Sequence, residues 1–151
     1  MIRVKDLAEL KTKEGYTFPS SEWIAITQDM INQFAEVTGD YQWIHVDEER
    51  AKKQMPQGST IAHGFLTLSL LPKLSYTLYE VESAKLGYNY GADKLRFISP
   101  VKSESKVRMT ATLKKVEVKQ GSGKIYMDCV IEIEGEKKPA LIYEMISMIM
   151  E

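Results

Sequence analysis

Gly64-Phe65-Leu66-Thr67-Leu68-Ser69-Leu70-Leu71-Pro72-Lys73-Leu74-Ser75-Tyr76-Thr77-Leu78 is the stretch that decides the fold. Phe65, Leu66, Leu68, Leu70, Leu71, Leu74 and Leu78 leave it little polar face. A helix that is apolar nearly all round belongs in the middle of a fold. Pro72 lies inside the stretch and removes one backbone donor, so a kink or an early end is expected there.

Upstream, the chain reads helical. Thr27 is placed to cap a helix, and Asp29 in its first turn meets the positive end of the dipole. Met30, Ile31, Phe34, Ala35 and Val37 recur at three- and four-residue spacing, which makes one apolar face, and Gly39 stops the helix. Residues 47–53 form a second, mostly charged helical piece, followed by a turn at Pro56-Gln57-Gly58. A short strand is expected near residues 23–26.

Downstream, the period changes to two. A strand is expected over residues 93–101. Val107, Met109, Ala111 and Leu113 then alternate with polar residues, after which Val116 and Val118 carry the apolar face. That slip of parity predicts a bulge at Lys114–Lys115. Gly121-Ser122-Gly123 reads as a hairpin turn, and Ile125, Met127, Cys129, Ile131 and Ile133 alternate beyond it. Residues 140–150 are apolar on both faces apart from Glu144 and Ser147, so both faces require cover, by the core helix or by a second subunit. A strand, helices, one buried helix and an antiparallel meander make an α+β pattern.

Composition bounds the function. The 151 residues suit one domain with a proper core. Lys and Arg number 20 against 21 Asp and Glu, a net charge of −1, which argues against nucleic acid and membrane surfaces as partners. The single cysteine, Cys129, forms no internal disulfide and no cysteine metal site. Charges at Arg3, Lys5, Asp6 and Glu9 break any apolar leader, and no uncharged run nears the ~20 residues of a membrane span. The expectation is a soluble, cytoplasmic, single-domain protein.

Two loops carry candidate chemistry. In Thr38-Gly39-Asp40-Tyr41-Gln42-Trp43-Ile44-His45, a carboxylate and an imidazole five residues apart can converge just past a helix stop. On spacing alone the structural reading is the commoner one, with Asp40 capping a turn and His45 a bonded loop residue. In Ile61-Ala62-His63-Gly64, the chain enters the buried helix, where free N–H groups and a positive dipole end form an oxyanion site for an acyl carbonyl. Gly64 lets a ligand approach the backbone, but it serves equally as a tight turn. His63 is read as a capping or packed residue. Asp40, His45 and His63 also form a conceivable metal set, disfavoured because no second carboxylate is tied to them.

Residues 34–51, FAEVTGDYQWIHVDEERA, and 58–74, GSTIAHGFLTLSLLPKL, together resemble the MaoC-like hydratases, also called hydratase 2 or (R)-specific enoyl-CoA hydratases. Within that family the nodulation-protein-N-like subgroup is the nearest match, and NYGADKLRFISPV (residues 89–101) is similar to its strand entry. The resemblance covers residues 18–113 and implies a hot-dog fold, an antiparallel sheet wrapped around one long central helix. It implies that Asp40 and His45 are the catalytic dyad and that the Gly64 N–H binds the thioester oxygen. The family usually has Asn-Pro where this chain has Gln42-Trp43, which bears on the shape of the acyl pocket.

The implied reaction is reversible hydration of a trans-2-enoyl thioester to a 3-hydroxyacyl thioester. Coenzyme A or acyl carrier protein enters as part of the substrate, with no bound cofactor and no metal. A homodimer is expected, with residues 140–150 near the contact. Arg96, Lys102 and Lys106 read as a solvated strand face rather than phosphate ligands. The rivals are a hot-dog acyl-CoA thioesterase and a non-catalytic acyl-CoA-binding subunit.

Overall fold

The computed structural model describes all 151 residues. The chain opens with β1 (Ile2–Val4), α1 (Leu7–Lys11) and β2 (Ile24–Ile26). Five helical segments follow: α2 (Gln28–Thr38), α3 (Trp43–Val46), α4 (Glu48–Gln54), α5 (Gly64–Ser69) and α6 (Leu71–Ser75). Then come β3 (Tyr79–Val81), β4 (Leu86–Phe97), β5 (Ser105–Lys119), β6 (Ser122–Ile133) and β7 (Leu141–Met150). Five strands form one antiparallel sheet in the order β2-β5-β6-β7-β4, and β1 pairs with β3 as a separate parallel ribbon. The architecture is α+β, a hot-dog fold with the sheet curled around α5 and α6.

The caps expected around α2 are in place. The Thr27 hydroxyl accepts from the Met30 N–H, and Gly39 closes the helix at φ 73°, a conformation glycine adopts without strain. Ile31 and Ala35 are fully buried, with Met30 and Phe34 packed against the core. Val37 is 85% exposed and leaves the expected face, as do its neighbours Glu36 and Thr38 in the last turn of α2, which are exposed too.

The central helix is broken. Pro72, in the first turn of α6, has no N–H for the Leu68 carbonyl, and helical structure stops at Ser69 and restarts at Leu71. Only one side of the two pieces is buried: Leu66, Leu71 and Leu74 enter the core, whereas Phe65 and Tyr76 face outward. The expectation of one helix buried all round is corrected to two short helices with one uncovered side.

Alternation governs the meander. Val107, Met109, Ala111 and Leu113 of β5 and Ile125, Met127, Cys129 and Ile131 of β6 point into one core. The register slips between Leu113 and Lys115, so Lys114 is the bulged residue and Val116 returns to the core. Val118 is exposed where the strand runs past the core. The hairpin turn is Gln120-Gly121, because Lys119 already pairs with Ser122. The strand expected over residues 93–101 is β4, which starts at Leu86 and ends at Phe97, with Ser99-Pro100 outside it.

β7 is an interior strand, hydrogen-bonded to β6 on one side and β4 on the other. Both of its edges are thus paired, while its faces are partly covered: Leu141, Met145, Ile146 and Ile149 are buried and the other residues half-buried. The exposed edge is β4, whose first nine residues are all solvent-facing and include Leu86, Tyr88 and Tyr90. The ribbon of β1 and β3 with α1 had no clear sequence signal, since its strands are three residues long.

Candidate active site

The segment from Thr60 to Ala62 is stitched between two parts of the chain. Ile61 N–H donates to the Ile44 carbonyl at 3.0 Å, Ala62 N–H to the Val101 carbonyl at 2.8 Å, and Ser103 N–H to the Thr60 carbonyl at 3.0 Å. This fixes the start of α5 against α3. From α3, His45 points inward and is 7% exposed.

His45 Nδ1 lies 2.7 Å from the Ile61 carbonyl. A carbonyl only accepts, so Nδ1 carries the hydrogen and Nε2 keeps its lone pair. Burial is the main cause holding the His45 pKa below the ordinary histidine value, aided by His63 and opposed by the Ile61 bond and by Asp40. A neutral imidazole with a free Nε2 is a general base in its working form. Gln28 steadies it from behind: its Nε2 donates to the His45 carbonyl at 2.8 Å, and its Oε1 accepts from the Thr60 hydroxyl. Gln28 gave no signal in the sequence, where it reads as an ordinary first-turn helix residue.

Asp40 follows the Gly39 stop and is exposed. One of its carboxylate oxygens and one nitrogen of each of His45 and His63 lie within 4.8 Å of one another. Two hydrogen bonds of about 2.8 Å through one water span such a gap. The fold therefore brings Asp40 and His45 within reach of one bridging water.

His45 and Gly64 line one cavity of 430 Å³, walled by Ile61, Ala62, Phe65, Phe97, Pro100 and Leu141, among others. Asp40 is outside this lining. The N–H of Gly64 has no acceptor in the fold, and the His63 side chain does not cap α5. A β-carbon at position 64 would come within 2.9 Å of the Phe97 ring, so glycine keeps this corner open. α5 has only six residues, so the free N–H rather than a long-helix dipole is what it offers an oxyanion.

Of the two structural roles expected of it, capping or packing, His63 takes packing. It is 3% exposed, its Nε2 lies 2.9 Å from the Asp40 backbone carbonyl, and its ring stacks on His45 at 3.8 Å and 26°. Near-parallel rings direct their in-plane lone pairs side by side rather than at one point, which suits a tetrahedral ion poorly. Trp43 lies under Arg50, 4.1 Å from ring centre to guanidinium, and neither it nor Gln42 lines the cavity. The replacement of Asn-Pro therefore leaves the cavity wall untouched. Arg96, Lys102 and Lys106 do not line it either, and Lys106 pairs with Glu134 at 3.6 Å. Cys129 is buried, and burial pushes its thiol up to about 12, so it is no nucleophile.

A curled antiparallel sheet around a broken helix, with a neutral histidine and a carboxylate at a helix-start cavity, defines a hot-dog protein equipped for acid–base chemistry. Comparison with known proteins gives the family. The MaoC-like domain matches residues 9–134, and the chain belongs to the MaoC-like dehydratase family; it is an enzyme of the hydro-lyase type. It is 46% identical over 143 residues to 3-hydroxyacyl-thioester dehydratase Z of Mycobacterium tuberculosis, covering 94% of each chain. It is 41% identical over 145 residues to Nodulation protein N of Rhizobium leguminosarum bv. viciae, covering 95% of this chain and 90% of the relative. The fold matches that of the unliganded R-hydratase PhaJ1 from Pseudomonas aeruginosa, with a TM-score of 0.73 at 21% identity over 97% of this chain and 86% of the other.

Proposed function

We propose that this chain is a 3-hydroxyacyl-thioester dehydratase, acting reversibly as an (R)-specific hydratase of trans-2-enoyl thioesters. The carrying observation is the free Nε2 of a neutral His45 in the cavity that also holds the Gly64 N–H, with the Asp40 carboxylate within 4.8 Å. The name of the mycobacterial relative supports the substrate class, and likeness to an R-hydratase supports the (R) outcome.

In hydration, His45 Nε2 takes a proton from a water held between it and Asp40, and the hydroxide adds to the β-carbon of the enoyl thioester. Electron density moves onto the thioester oxygen, which the Gly64 N–H stabilises as an enolate. The α-carbon gains a proton as His45 gives up the one it took, Asp40 shares in that transfer, and the thioester carbonyl re-forms. Atoms balance as water added across one C=C bond.

Coenzyme A or acyl carrier protein is the carrier. The reading needs no bound cofactor and no metal. We read the chain as one hot-dog domain, working in the cytoplasm as a homodimer. The dimer rests on the exposed β4 edge together with Phe65, Phe97 and Ile98, an apolar border around the cavity mouth.

A spectrophotometric enoyl-CoA hydration assay across chain lengths, with chiral analysis of the product, tests the function. The expected result is turnover to (R)-3-hydroxyacyl-CoA. Free thiol release without hydration would replace this reading with a thioesterase, and acyl-CoA binding without turnover would replace it with a carrier-binding subunit.

A further inference from the structure

His63 sits where Asp40 and His45 meet, and it touches both. Its Nε2 faces the Asp40 backbone carbonyl at 2.9 Å, so Nε2 carries the hydrogen and donates. Its ring lies on the His45 ring at 3.8 Å. Its other flank meets Phe34 of α2, with ring centres 5.0 Å apart. Its own backbone is held by α5, since the Thr67 N–H donates to the His63 carbonyl at 3.2 Å. One residue thus joins α2, the Asp40 loop, α3 and α5.

Packing alone does not account for a histidine here. With Nε2 committed, Nδ1 is a bare acceptor, and it is buried with no partner. A buried acceptor without a donor is destabilising, a cost that a phenyl ring of similar shape would avoid. The site keeps the donor despite the orphan.

We propose that His63 is a positioning residue for the acid–base pair: its Nε2–H fixes the Asp40 loop and its ring face fixes the plane of His45. This rests on the assignment of Asp40 and His45 as that pair. The groups facing His63 are His45 on α3, the Asp40 carbonyl and carboxylate from the loop, and the uncharged Phe34 on α2. His45 and the Asp40 carboxylate are the titratable neighbours, and His45, stacked on the ring, is the one read out when His63 changes.

Two variants separate the parts. His63→Phe keeps a ring face and removes the donor. His63→Gln keeps a donor and removes the ring. Steady-state kinetics on enoyl-CoA gives kcat and KM, and nitrogen-15 NMR of the histidines reads the tautomer and titration of His45 directly.

In His63→Phe, kcat is expected to fall by up to about 10²-fold, as for a reacting group misplaced by an ångström, with KM much less changed. In His63→Gln part of that loss is recovered. The His45 titration midpoint in His63→Gln moves up, because the repulsion from a second imidazole is gone. Wild-type kcat in both variants, with unchanged His45 NMR signals, overturns the proposal. If the wild-type chain itself shows no turnover, the hydratase reading fails, and the NMR comparison alone decides whether His63 holds His45. Circular dichroism of both variants separates these outcomes from misfolding.

Discussion

Burial favours the neutral form of His45, and this makes its pH response predictable in sign. Its folded pKa lies below the ordinary value of about 6.5, so on acidification the unfolded chain takes up the proton first. Stability is therefore expected to be full above about pH 6.5 and to fall as pH drops from there through the folded pKa. Denaturant titrations at a series of pH values check this, and His45→Gln is expected to remove that part of the slope. The acid limb of kcat/KM should likewise lie below about 6.5. At Gly64, an added methyl group meets the Phe97 ring at 2.9 Å. Overpacking of about 1–3 kcal/mol predicts a roughly ten- to hundredfold loss of kcat/KM in Gly64→Ala, partly recovered when Phe97→Ala is combined with it. The nearness of Asp40 and His45 was legible because they lie only five residues apart. The part played by His63 was not, because it depends on residues 40 and 63 being brought together by α2 and α5.

Helix caps and strand parity were the most readable elements, since each is set by neighbours in the chain. Thr27 capped α2 and Gly39 ended it, as their chemistry requires. Thr27→Ala is expected to cost about 1 kcal/mol, measured as a shift of the denaturation midpoint with unchanged slope. The bulge at Lys114 followed from a one-residue slip in the alternation, which cannot be absorbed without turning the apolar face outward. The central helix was legible in place, and its break was legible in Pro72, but its exposed side was not. Pro72 ended the first piece at Ser69, and the apolar pattern did not distinguish core from the side carrying Phe65 and Tyr76. β4 was misplaced by several residues because Leu86 to Tyr90 alternate over a surface the single chain does not cover.

The molecule as a whole rests on one cluster of 27 buried apolar residues, with Ile131 of β6 fully enclosed in it. Ile131→Ala is expected to destabilise by about 2–5 kcal/mol, read by chemical denaturation. Sheet order was beyond the sequence: residues 140–150 read as a strand with both faces to cover, and nothing in them told that β4 and β6 flank it. The edge that remains, β4 with Phe65 and Phe97, predicts a dimer in analytical ultracentrifugation at micromolar concentration, and a stable monomer there would contradict that assembly. The central claim is that Asp40 and His45 together drive water addition beside Gly64. Crotonyl-CoA hydration by folded Asp40→Asn and His45→Gln variants measures it most directly. Each is predicted to lose roughly 10²–10⁴-fold in kcat while keeping the wild-type circular dichroism spectrum. Turnover close to wild type in both would contradict the account.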